Sequence, residues 1–266
     1  MDMKEFIRAK ALAAGFSAVG FTTAEPLEGK GRLEEAVRDG RTGCMGWLAR
    51  EPAARCDPRS LMQGARSVIC LALAYGGNGL AADPSNFSGE GGPRVSHEDD
   101  LKIARFARGA DYHGVIRKKA KGLWRSIQER APDSMGRICV DTSPILEKAL
   151  AERSGIGWIG KHTVLVNEEL GSWFVLGEII TDLELEPDAP AACRCGECTK
   201  CIDACPVRAL LSPYVLDSRL CISCLTIEER GRCEDPAHRD DSICGWGYGC
   251  DECLEACPYN DVTRNR

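Results

Sequence analysis

Apolar residues recur at helical spacing from Lys4 to Ala14 (Phe6, Ala9, Leu12, Ala13) and stop at Gly15, a good helix end, so the first element expected is a helix. A short strand over Ala18 to Phe21 follows, and Leu33 to Arg38 and Gly46 to Arg50 read as further short helices. Ser67 to Tyr75 is a continuous apolar run of strand length, which suits a strand buried on both faces in the middle of a sheet. Gly76 to Pro93 holds six glycines among prolines, serines and asparagines and reads as a long loop, of the kind that covers sites. From Asp100 to Arg130 the pattern is largely helical. Arg137 to Val140 is a short strand, and Ser143 with Pro144 is expected to cap and begin a helix that runs to Arg153. Strand-like segments return at Thr163 to Val166 and Trp173 to Leu185.

Composition adds a boundary to this mixed pattern. A chain of 266 residues, 44% hydrophobic and 28% charged, can bury one large core or two modest ones. Twelve of its 16 cysteines fall between Cys193 and Cys257, which leaves Cys44, Cys56, Cys70 and Cys139 upstream and sets a boundary near Glu186 to Ala192. No stretch approaches the roughly 18 to 20 apolar residues needed to span a bilayer. The opening Met-Asp-Met-Lys-Glu-Phe-Ile-Arg lacks the pattern of a secretory signal, so a cytoplasmic protein away from membranes is expected. A net charge of −6 argues against a surface that grips phosphate backbones all over. Lys102, Arg105, Arg108, Arg117, Lys118, Lys119, Lys121 and Arg125 nevertheless cluster in one stretch, as either a solvated face or an anion-binding surface.

The strongest chemical signal is Cys195, Cys198, Cys201 and Cys205 followed by Pro206. This is the C-x2-C-x2-C-x3-C-P run of bacterial ferredoxins, in which three thiolates hold one 4Fe-4S cube and the fourth reaches a second. The second motif is Cys250, Cys253 and Cys257 with Pro258, and its missing leading cysteine is best supplied by Cys221. The assignment is therefore crossed: Cys195, Cys198, Cys201 and Cys257 on one cluster, Cys205, Cys221, Cys250 and Cys253 on the other. A pair of zinc ribbons is the competing account, but it requires neither the two Cys-Pro ends nor the three-cysteine run. Cys70 and Cys139, in apolar strands, read as inert buried thiols. Cys193, Cys224, Cys233 and Cys244 leave open an extra metal site or an alternative fourth ligand.

Ordered blocks extend the reading beyond the cysteines. Arg-Cys-Asp-Pro-Arg (55 to 59), Ala-Arg-Gly-Ala-Asp-Tyr-His (107 to 113), Val-Asp-Thr-Ser-Pro-Ile-Leu-Glu-Lys-Ala-Leu-Ala (140 to 151), Gly-Trp-Ile-Gly-Lys-His-Thr (157 to 163) and Cys-Ile-Ser-Cys-Leu-Thr-Ile-Glu (221 to 228) lie in one sequence. From about Gly15 to Asn260 the chain resembles the epoxyqueuosine reductase family, cobalamin-dependent iron-sulfur enzymes related to reductive dehalogenases. The resemblance implies an α+β fold, with an N-terminal α/β, nitroreductase-like cobalamin domain over residues 1–188 and a ferredoxin-like double 4Fe-4S domain over residues 189–266. It implies two 4Fe-4S clusters and a cobalamin held between the domains with its lower base detached. The implied reaction is reduction of epoxyqueuosine to queuosine in tRNA, with electrons from a ferredoxin- or flavodoxin-type donor.

Asp141 matches the family's catalytic aspartate, and apolar neighbours at its strand end are expected to hold it protonated. Read alone, it is better taken as an ordinary cap before a Ser-Pro helix start, and the resemblance reverses that. Tyr112, His113, Arg55, Lys161, His162, Thr226, Ile227, Glu228 and Asp251 are the implied cofactor contacts. Two departures stand out: Cys224 replaces a common tyrosine, and Cys233 to Gly247 is unlike the family's linker. Full-length members also continue beyond Cys-Pro-Tyr-Asn (257 to 260) into helical repeats that help hold tRNA, so a short form without that platform is expected. A related electrophile as substrate, and an electron-transfer protein that reduces a partner such as a corrinoid protein, are the alternatives.

Overall fold

A computed structural model describes residues 2–28, 30–75, 101–228 and 244–261. Its helices are α1 (Met3–Ala13), α2 (Lys30–Arg38), α3 (Pro52–Arg55), α4 (Tyr112–Gln128), α5 (Glu147–Arg153), α6 (Lys200–Asp203), α7 (Ile222–Ile227) and α8 (Glu252–Glu255). Its strands are β1 (Ala18–Thr23), β2 (Ser67–Ala74), β3 (Lys102–Ile103), β4 (Gly136–Cys139), β5 (Trp158–Ile159), β6 (Leu165–Val166), β7 (Phe174–Thr181), β8 (Leu210–Ser212), β9 (Val215–Leu216) and β10 (Trp246–Tyr248). Four strands form the main sheet in the order β1-β2-β7-β4, every neighbour antiparallel. This is the α+β arrangement.

The apolar run of β2 makes sense in this sheet because both of its faces are covered. Ile69, Leu71 and Leu73 point into a core shared with Phe6, Ile7, Ile116, Leu123 and Ile127 of α1 and α4. Val68, Cys70 and Ala72 point the other way, onto Leu150 and Ala151 of α5. Each fully enclosed Ile or Leu contributes roughly 1.5–3 kcal/mol, so these two layers hold the sheet without help from any bound group. The close approach of α4 requires glycine at 177, where a Cβ would come within 2.6 Å of Ile116 Cγ2.

Two expectations shift, and a third lies beyond what the structure describes. The segment after Asp100 is not one helix: β3 and a single turn at Arg105–Ala107 precede α4, which Asp111 caps by accepting the His113 amide. Helix α5 begins at Glu147 rather than Pro144, because Thr142 and Ile145 donate to the carbonyls of Val140 and Ser143 in tight bends. The glycine-rich loop expected over Gly76 to Pro93 lies outside the described residues.

The cysteine-rich segment is fastened to the sheet-bearing part at several points. Before it begins, Asp188 binds Lys4 at 2.7 Å and Arg8 at 2.8 Å and accepts the Phe21 amide. Further on, β10 pairs with β3, Asp251 accepts the Arg105 amide at 2.8 Å, and Asn260 accepts the Ser172 amide.

Candidate active site

Asp141 follows directly on β4 and Val140, in a left-handed backbone conformation (φ 49°) that few residues other than glycine adopt readily. Glu147, at the start of α5, holds this corner by accepting the Asp141 amide at 2.5 Å. The Asp141 carboxylate lies 3.1 Å from His113 Nε2, while His113 Nδ1 lies 2.6 Å from Asp111. Hydrogen bonding to Asp141 and then Asp111 raises the His113 pKa. Tyr112 stacks on His113 with centroids 4.1 Å apart. Burial, with the charges of Asp141 and Glu147, pushes that phenol up, so it stays a proton donor. The corner thus joins Asp141, Tyr112 and His113.

The apolar cover expected over Asp141 is not there, since its side chain is 54% exposed. Val140 and Ile145, its neighbours in sequence, turn inward to the cores and away from it. Burial falls instead on two carboxyls that the sequence reading passed over. Glu147 is pushed up to about 7, by burial first and by Asp141. Glu178, fully enclosed on β7, is raised well above the usual carboxylate range by burial and by Glu147. A signal for Glu178 was present: it is a charged residue inside the apolar run Phe174 to Ile180.

The basic stretch divides. Lys102 and Arg105 pair with Glu252 and Glu255 of the cysteine-rich segment. Arg117, Lys118, Lys121 and Arg125 stand exposed on α4, and Arg117 donates to Thr142 beside the active corner. Arg117 is thus the end of the cationic face that lies near Asp141.

The cysteines of the two motifs lie near one another, although among the described residues no three of them converge closely enough to hold a single metal ion. Cys201 is pushed up to about 11 by burial and by the charges of Cys257, Cys195 and Cys198. Cys253 is raised by burial and by Cys250, Cys221 and Cys205, with Cys201 beyond. Eight thiols in this arrangement, with the Ala209 amide donating to Cys205 Sγ, are a donor set suited to iron-sulfur cubes. Of the remaining cysteines, Cys70 and Cys139 are fully buried in strands. The sulfurs of Cys44 and Cys224 are 4.0 Å apart, Cys193 contacts the Tyr214 hydroxyl, and Cys233 lies outside the described residues.

The other expected cofactor contacts are dispersed. Lys161 spends its ammonium on the carbonyls of Gly196 and Cys198, bracing the cluster loop. Thr226 accepts the Gly249 amide and donates to Ile222 O; Ile227 ends α7, Glu228 is exposed, and Asp251 is occupied by Arg105. His162 is buried and its pKa is lowered to about 4 by desolvation, which keeps the ring neutral. Arg55 Nε, His162 Nε2 and Ser172 Oγ are buried with no partner among the described residues. Buried polar atoms are ordinarily satisfied; these three are covered by protein atoms, so a cofactor could reach them only if the chain around them moved. A cleft of about 460 Å³ opens beside Cys257, lined by Arg105, Trp173, Lys200 and Glu255 but not by Asp141.

Known proteins supply the decision on family. The chain is 39% identical over 261 residues to the epoxyqueuosine reductase of Cellulophaga algicola, a match spanning 98% of this chain and 80% of that one. The chain belongs to the epoxyqueuosine reductase family. The Synechocystis epoxyqueuosine reductase is 41% identical over 229 residues, 86% of this chain and 74% of its own length. The family model described as "Epoxyqueuosine reductase QueG, DUF1730" matches residues 55–142, and that of a 4Fe-4S double cluster binding domain matches residues 194–260. An epoxyqueuosine reductase solved with an epoxyqueuosine-modified tRNA stem loop superposes with a TM-score of 0.82 at 34% identity. That match takes in 97% of this chain and 65% of the solved one. The Bacillus subtilis epoxyqueuosine reductase, solved with its catalytic aspartate loop swung out of the active site, gives 0.81 at 33% identity. A reductive dehalogenase shares the fold at a TM-score of 0.57 and 15% identity. Among the described residues no helix is long and apolar enough to cross a membrane.

Proposed function

We propose that this protein reduces epoxyqueuosine to queuosine in tRNA, in the cytoplasm, with electrons from a ferredoxin- or flavodoxin-type donor. The proposed division is residues 1–188 for substrate and cobalamin and residues 189–266 for two 4Fe-4S clusters. Cys195, Cys198, Cys201 and Cys257 hold one cluster and Cys205, Cys221, Cys250 and Cys253 the other. Cobalamin, when bound, would supply a strongly reducing cobalt centre. Arg55 and His162 are among the residues that would hold the cofactor.

The observation that carries the reading is the corner at Asp141. Removing an epoxide oxygen as water requires protons at that oxygen, and Asp141 stands exposed where a substrate can reach it. His113 orients the carboxylate from one side, and Tyr112 offers a second proton. The exposed cations of α4 bind the phosphate backbone and bring the modified base to this corner.

Asp141→Asn keeps the shape and removes the acid. In protein reconstituted anaerobically with both cofactors, single-turnover conversion of an epoxyqueuosine stem loop, followed by mass spectrometry of the nucleosides, is expected to fall roughly 10²- to 10⁴-fold. Iron content and corrinoid absorbance should stay unchanged. Turnover equal to that of the unaltered protein would remove Asp141 from the mechanism. Cluster reduction without epoxide conversion in either form would point to an electron carrier.

A further inference from the structure

Cys44 and Cys224 stand 180 residues apart in the chain, one in the sheet-bearing part and one in the cysteine-rich segment, yet their sulfurs are 4.0 Å apart. Neither belongs to the two ferredoxin-like motifs. The backbone on both sides of the contact is fixed. The loop that carries Cys44 is tied down by the Ser218 amide, which donates to the Arg41 carbonyl at 2.8 Å. Gly43 has a left-handed backbone (φ 56°) and lies so close to Arg219 that a Cβ would sit 3.4 Å from its backbone nitrogen. Asp217 in turn grips the Arg219 guanidinium at 2.6 and 2.8 Å.

On the other side, Cys224 lies in α7, the helix that starts just after Cys221. The Thr226 hydroxyl donates to the Ile222 carbonyl at 2.7 Å and accepts the Gly249 amide at 2.8 Å, which joins α7 to the chain entering Cys250. Cys224 is buried, whereas Cys44 is only half-buried. An open thiol beside a sheltered one suits disulfide exchange, in which the open sulfur meets the reagent and the sheltered one resolves the product. A metal suits the pair less well. Structural zinc takes four ligands, and among the described residues no third joins these two.

We propose that Cys44 and Cys224 form a redox-responsive clasp that closes to a disulfide under oxidising conditions and pins α7 to the sheet-bearing part. An S–S bond of about 2.05 Å requires the sulfurs to approach by roughly 2 Å, within the swing of a cysteine about its Cα–Cβ bond. The oxidant is a low-molecular-weight disulfide. The Cys44 thiolate attacks one sulfur of that reagent, whose S–S bond breaks, and the first thiol leaves. Cys224 then attacks the Cys44 sulfur of the mixed disulfide, the new S–S bond forms and the second thiol leaves. The two cysteine protons pass to the two departing thiols, and the two electrons lost by the pair reduce the reagent. In a reducing cell interior the clasp stays open. Once closed, it holds α7 without iron, so the helix that starts after Cys221 keeps its place when a cluster is lost. That role rests on the cluster assignment given above, whereas the disulfide itself does not.

Mass spectrometry and hydrogen exchange test both parts. Anaerobic holoprotein is incubated with oxidised glutathione, its free thiols are alkylated, and it is digested without reductant. The Cys44 peptide is expected joined to the Cys224 peptide, and dithiothreitol should separate them. Iron is then withdrawn by a chelator from the oxidised protein and from a sample treated first with dithiothreitol. Exchange across α7 should be at least about tenfold slower in the oxidised sample, with no such difference in Cys44→Ser. Cys224→Ser should keep its full iron content. Failure to form a disulfide, or Cys224 joined to Cys233 or any other cysteine, overturns the clasp. Loss of iron in Cys224→Ser also overturns it, by making Cys224 a cluster ligand. Equal exchange in the two samples overturns the pinning of α7. If the disulfide forms in protein that never held iron, the cluster reading fails while the clasp stands.

Discussion

Seven of eight residues of β2 and seven of eight of β7 are buried, whereas α6 and α8, which carry cysteines of the two ferredoxin-like motifs, have four residues each. Helices that short do not persist on backbone hydrogen bonding alone. Among the described residues, the apolar cluster of buried side chains centred on this segment holds Ala104, Ile222 and Trp246, against twenty in the core over α1 and α4. The sheet is therefore held by packing and the cysteine segment by what its sulfurs bind, so metal and solvent conditions should act on the two regions separately.

The largest expected effect follows from that separation. Iron removal, or Cys253→Ala, should abolish hydrogen-exchange protection across α6 to α8 while β2 and β7 keep theirs, because metal binding is folding energy for such a segment. Equal loss in both regions would break the distinction. Conversely, Ile179→Ala empties part of the sheet core and should cost roughly 2–5 kcal/mol in denaturant unfolding of the sheet, leaving the ultraviolet-visible cluster spectrum intact in the folded protein.

A smaller effect comes from pH. Glu147 and Glu178 have raised pKa values in the folded state, so their contribution to stability is complete below the unfolded carboxylate range and is lost as pH rises, through about 7 for Glu147. The melting temperature of the sheet should fall from about pH 5 to pH 8, by the equivalent of on the order of 2–3 kcal/mol. Glu178→Gln should flatten that slope. Smallest of all, Lys121→Glu with Arg125→Glu on the exposed face of α4 should change stability by no more than about 0.5 kcal/mol. The same pair should lower the salt slope of tRNA binding by roughly one to two contacts, and an unaltered slope would move the RNA elsewhere.

The parts of the molecule legible in the sequence are those whose cause is local. The β2 run announced a doubly covered strand, and cysteine spacing with two Cys-Pro ends announced the iron-sulfur segment, because ligand geometry is written in short intervals. Asp141 was singled out, but its surroundings were misjudged, since neighbours in sequence turned into the core and left it exposed. Nothing near Lys102 and Arg105 showed that Glu252 and Glu255 would claim them from 150 residues away. Glu178 was overlooked because one polar residue in an apolar strand does not disrupt the pattern.

The clasp at Asp188 has a bearing on how the chain acquires its shape during synthesis. Helix α1 leaves the ribosome early, yet the carboxylate that fastens Lys4 and Arg8 is made about 180 residues later. Helix α1 must therefore wait for Asp188 to be made before this clasp can close, and contacts of such long reach slow closure. Once closed, the clasp fixes where the cysteine segment departs from the sheet, so cube assembly begins from an anchored strand end and not from a drifting tail.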